Sequence, residues 1–121
     1  MNANSDILQY LDQQQGTERP VAIKRKFNDR IFMDVPYIIS EENGVYTWTY
    51  LTLSDYDYNY RSLVNSIINT KYDISESFAI LLNYLDQPEK EEYAAEYKAF
   101  QDWRKHAKQY AKEYFDSIAQ G

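Results

Sequence analysis

After Pro88, residues 89–118 contain no glycine and no proline, and this stretch limits the fold more than any other. Pro88 suits a first helical position, where its missing N–H is not needed. Glu89, Glu91 and Glu92 then place negative charge at the positive end of a helix dipole, and Lys105, Lys108 and Lys112 sit in the second half. Ala, Glu, Lys and Gln dominate, all strong helix formers. Apolar positions step by four and three through Tyr93, Tyr97, Phe100, Ala107, Ala111, Tyr114 and Ile118, with Arg104 as the one charged member. Trp103, Tyr110 and Phe115 widen this seam to a broad stripe. Tyr and Ala in place of Leu and Ile make a poor free-standing coiled coil. The stripe predicts a helix that packs on its own domain, with an inter-subunit helix as the competing reading. About thirty residues at ~1.5 Å each reach ~45 Å, more than a compact domain of this size needs. One end is therefore expected to project or to meet a partner.

Upstream the apolar period changes from helical to alternating. Residues 21–27 and 30–40 read as strands, and Pro36 removes a ladder donor, which predicts an edge strand or a bulge. Asn43-Gly44 is a hairpin signal, since both residues tolerate positive φ. In residues 45–53, Tyr46, Trp48 and Tyr50 share one face, while Val45, Thr47, Thr49, Leu51 and Leu53 share the other. Both faces are partly apolar, so both are expected to be covered. A turn at 54–59 precedes a helix carrying Tyr60, Leu63, Val64, Ile67 and Ile68. Asp73 then opens another, with Glu76 completing an acidic capping box and Ile74, Phe78, Leu81, Leu82 and Leu85 forming its apolar face. Residues 1–20 are polar apart from a short helical possibility at 5–14. They read as an arm that orders on a neighbour. The expectation is one α+β domain over 21–121, a small antiparallel β-meander followed by three helices, with the arm ahead of it.

Composition narrows function by exclusion. A net charge of −6 argues against a nucleic-acid or anionic-membrane binder, which needs clustered cations. No apolar run reaches the ~18 residues of a membrane span, and no secretory signal is expected. Without cysteine, thiolate chemistry and disulfides are excluded. The basic run Lys24-Arg25-Lys26 lies on a predicted strand, which would split it between two faces. Asp55, Asp57 and Asn59 have the alternating oxygens that open a calcium loop, but Tyr60 stands where the loop needs Gly and Ser66 where it needs Glu. Turn and capping roles account for them better, so no metal is expected. His106 is the only histidine and has no evident triad or metal partner, so it reads as a solvated surface residue. With no glycine loop for phosphate and no carboxylate pair in contrasting surroundings, neither a cofactor nor enzyme activity is expected.

Thirteen tyrosines and two tryptophans remain to be explained. Tyr is large, stiff and amphipathic, and it is enriched at protein interfaces. Tyr46, Trp48, Tyr50, Trp103, Arg104 and Tyr110 are the candidate partner-binding residues. For the first three, the competing readings are a sheet face packed on the helices and a sugar-stacking face.

Tyr60, Val64, Ile67, Lys71-Tyr72, Ala79-Ile80 and Asn83-Tyr84-Leu85, followed by Tyr97, Phe100, Trp103-Arg104, Ala107-Lys108 and Ala111-Lys112, carry a pattern over about residues 45–115. It resembles small virion structural proteins of tailed bacteriophages and prophages of gut bacteria. The resemblance implies a tail- or fibre-associated component in several copies, located in the virion or the bacterial host cytoplasm. The reading is thus a non-enzymatic structural or adaptor protein whose partners are other protein subunits, in a homo- or hetero-oligomer. A small acidic inhibitor or assembly chaperone is the alternative, and an aromatic-faced carbohydrate-binding module a third.

Overall fold

The structure, a computed structural model, describes residues 13–120. It is α+β: a four-stranded antiparallel sheet followed by three helices. The strands are β1 (Gln14–Gly16), β2 (Ile23–Phe27), β3 (Arg30–Glu42) and β4 (Val45–Ser54), in the order β1-β4-β3-β2. A 3-10 turn at Asp55–Asp57 leads to α1 (Tyr60–Asn69), α2 (Ile74–Asp86) and α3 (Glu91–Gln120).

Strands β2, β3 and β4 form the expected meander. Asn43 and Gly44 both have positive φ, 53° and 78°, and join Glu42 to its partner Val45 in a two-residue turn. A second such turn joins β2 to β3 through Asn28 and Asp29, at φ 49° and 63°. Neither residue is glycine, but short polar side chains tolerate this region best after glycine. β1 was not anticipated. Gln14–Gly16 adds to the free edge of β4, opposite Tyr46, Thr47 and Trp48, so this part of the expected arm is held by its own sheet. The helix expected at 5–14 falls mostly outside the described residues.

Pro36 lies inside β3, a central strand, and not on an edge strand. It is tolerated because β2 reaches only as far as the pair Ile23–Asp34. Beyond that point one side of β3 is open, and there Pro36 O and Ile38 N both meet the Tyr110 hydroxyl of α3. One phenol thus closes the ladder that proline interrupts. The expected bulge is present nearby, as a register shift between Ile38 and Ser40.

One sheet face carries Val35, Tyr37, Thr49, Leu51 and Leu53, all buried. Leu63, Val64 and Ile67 of α1 and Ala107 and Ala111 of α3 pack onto it. The two alanines are fully buried, so the seam predicted along the long helix does face the domain, with small residues at its closest approach. Met33, Trp103, Tyr110, Tyr114 and Phe115 surround this core. The long helix begins at Glu91, not at Pro88. Pro88 follows Gln87 in a turn closed by Lys90 N donating to Gln87 O at 3.1 Å. The φ of proline serves the second position of such a turn as well as a helix start.

Candidate interaction surface

Helix α2 begins as its sequence predicts. The Asp73 carboxylate accepts from Glu76 N at 2.7 Å, and the Glu76 carboxylate accepts from Asp73 N at 3.3 Å, a complete capping box. The Tyr72 ring packs edge-on against Phe100, and the Lys71 ammonium lies 4.8 Å above the Trp103 ring, fixing the preceding loop on α3. At the far end Tyr84 stacks face to face on Tyr97, with centroids 4.1 Å apart.

Held in this way, α2 turns its apolar face outward. No residue of α2 is buried. Ile74 is 69% exposed, Phe78 60%, Leu82 59% and Leu85 65%, with Leu81 also exposed. The side of α2 nearer α3 carries Ser77, Ile80 and Tyr84, which are half-buried. α1 and α2 both pack on α3 but stand apart from one another. Between them opens a groove of about 520 Å³, with Ile68 on one wall, Ile74, Phe78 and Leu81 on the other, and Phe100 and Arg104 of α3 along it. Sequence periodicity identified these residues as an apolar face. It gave no sign that the face would stand free of the core, since the same spacing serves a covered helix and an uncovered one.

The residues expected to contact partners are placed differently. Tyr46, Trp48 and Tyr50 lie on the sheet face turned away from the helices, each half-buried. They do not pack against the helices. The edge of the Trp48 ring lies over Gly16 of β1, so close that a Cβ there would come within 3.3 Å. On the same face, Arg25 pairs with Asp34, which also accepts from the Thr52 hydroxyl at 2.8 Å. Arg25 holds the Asp34 carboxyl below its usual range. Trp103 and Tyr110 turn inward: the Trp103 indole donates to Ile67 O at 3.2 Å, and Tyr110 caps β3. Arg104 donates to the side chain of Gln101 at 2.8 Å and lines the groove.

His106 is exposed, as expected of a surface residue, but its ring also has partners. Its Nε2 is hydrogen-bonded to the Tyr37 hydroxyl, and its ring lies 4.9 Å from Trp103 and 6.4 Å from Tyr110. Burial pushes the imidazole below its ordinary value of 6.5, with Lys71 adding to the shift and Glu113 opposing it. Burial likewise raises Tyr37, so both groups stay neutral near pH 7. Asp57 and Asn59 have local roles: Asp57 accepts from the Ser54 hydroxyl, and Asn59 caps α1 by accepting from Ser62 N at 3.0 Å. No helix among the described residues is long and apolar enough to cross a membrane.

Compared with known proteins, the chain matches no family model, no curated sequence and no solved structure.

Proposed function

We propose that this protein is a non-enzymatic structural or adaptor component that works by protein–protein contact, in the virion or tail of a bacteriophage. The observation that carries the contact reading is the outward apolar face of α2. Ile74, Phe78, Leu81, Leu82 and Leu85 together leave on the order of 600 Å² of apolar surface in water, at the upper limit for a protein that works alone. Exposing this surface has a cost that burial against a partner removes, at roughly 25 cal/mol per Å². The groove beside it gives an incoming side chain somewhere to seat. The virion setting rests on the pattern of residues 45–115 and on that alone.

Mass spectrometry of purified phage particles from the host carrying the gene tests the setting. The chain is expected among the particle proteins at a fixed copy number, and the Phe78→Ser variant is expected to be lost from particles while keeping its circular dichroism spectrum. Absence of the wild-type chain from particles, with transient capture of one partner instead, would favour the assembly-chaperone reading.

A further inference from the structure

We infer that the α2 face is a seat for a second copy of this chain, paired antiparallel about a twofold axis near the middle of the helix. This rests on the contact reading above and names the occupant.

Three observations lead there. First, the stripe is self-complementary. Ile74, Phe78, Leu81, Leu82 and Leu85 are spaced almost symmetrically about the midpoint of α2. Reversing one helix against its copy sets Ile74 against the copy's Leu85, and Phe78 against its Leu81 and Leu82. A patch that matches itself under reversal is what a twofold interface requires. Second, the centre of the seam is uncharged. Each chain carries −6, which sets two copies against each other over most of their surface. Between Ser77 and Leu85, however, α2 has no charged residue; Asp73 and Glu76, engaged in the capping box, and Asp86 lie at its two ends, and Arg104 in the groove has the opposite sign. Along this central stretch a like-charged copy meets no carboxylate, and the Asp73 and Asp86 charges meet only at the ends of the contact. Third, the area suffices. About 600 Å² from each copy gives roughly 1,200 Å² in the pair, above the ~1,000 Å² that marks a specific interface. The groove between α1 and α2 adds depth, so that each α2 lies partly in the other copy's groove, and the two α2–α3 hairpins stack as a bundle.

Sedimentation velocity on the full chain from low to high micromolar concentration provides the test. The wild type is expected to shift from monomer to dimer. Leu82→Glu and Phe78→Ser, each shown by circular dichroism to keep the fold, should raise the dissociation constant at least about tenfold. Added salt should strengthen the pairing by screening the two negative chains. Because the chain has no cysteine, orientation can be read with single introduced ones. A short bismaleimide should link copies of Leu81→Cys, near the axis, but not copies of Ile74→Cys, which antiparallel pairing holds ~16 Å apart along the axis. A wild type that stays monomeric throughout overturns the inference. So does a dimer indifferent to both α2 substitutions, a dimer that salt dissolves, or equal linkage at positions 74 and 81. A monomer that still enters phage particles would leave the contact reading standing without self-pairing. A dimer absent from particles would leave the pairing standing without the virion.

Discussion

At the scale of single residues, the tyrosines divide by what their hydroxyls reach. Tyr110 spans from α3 to the open side of β3 and serves both Pro36 O and Ile38 N. Removing that oxygen leaves a donor and an acceptor half-buried with nothing in their place. Tyr110→Phe is therefore expected to lower unfolding free energy by about 1–3 kcal/mol in urea titration, although phenylalanine fills nearly the same volume. Tyr58 and Tyr114 make a comparable pair, hydroxyl to hydroxyl at 2.7 Å, with burial raising Tyr114. His106 supplies a pH signature. Its folded-state value lies below the ordinary 6.5, so near that pH the unfolded chain binds more protons than the folded one. Stability is complete above pH 6.5 and declines as pH falls through the depressed folded value. Melting temperature between pH 7.5 and 5 should thus fall more steeply for wild type than for His106→Gln. Equal slopes would show that the desolvation of His106 does not set the pH dependence.

At the scale of elements, the features readable from sequence were those set by neighbouring residues. Asn43-Gly44 formed the turn its φ preferences demand, the Asp73–Glu76 box capped α2, and the spacing of Ala107 and Ala111 placed the buried side of α3. Gly44→Ala should cost about 1 kcal/mol in thermal unfolding, because its φ of 78° strains any residue with a Cβ, while open space around it rules out a clash. What was not readable depended on distant parts of the chain or, at Pro88, on a choice between two local structures. Gln14–Gly16 has no alternating pattern, and it becomes a strand only because β4 offers it an edge. Pro88 fits a helix start and a turn equally well, and the Lys90–Gln87 hydrogen bond decides between them. For the candidate site, Trp103 and Tyr110 have the character of interface residues, yet a core can use the same groups. Their inward hydrogen bonds to Ile67 O and Pro36 O could be found only in three dimensions.

At the scale of the whole molecule, two layers are complete and one helix stands outside them. The sheet, α1 and the middle of α3 bury the core, whereas α2 hangs on α3 through Tyr84, Tyr97 and its flanking loop. Ile74, Phe78, Leu82 and Leu85 of α2 are accordingly a contiguous apolar face that folding leaves in water, as it also leaves Val21, Phe27 and Tyr56 elsewhere. That division has an energetic consequence. A core leucine replaced by a charged residue costs several kcal/mol, whereas an outward one costs almost nothing in an isolated chain. The most direct test is the urea-unfolding free energy of Leu82→Glu, measured in solution dilute enough that chains do not associate. The outward placement of α2 predicts a value within about 0.5 kcal/mol of wild type. A loss of roughly 2 kcal/mol or more would mean that Leu82 belongs to the interior, and would contradict the account.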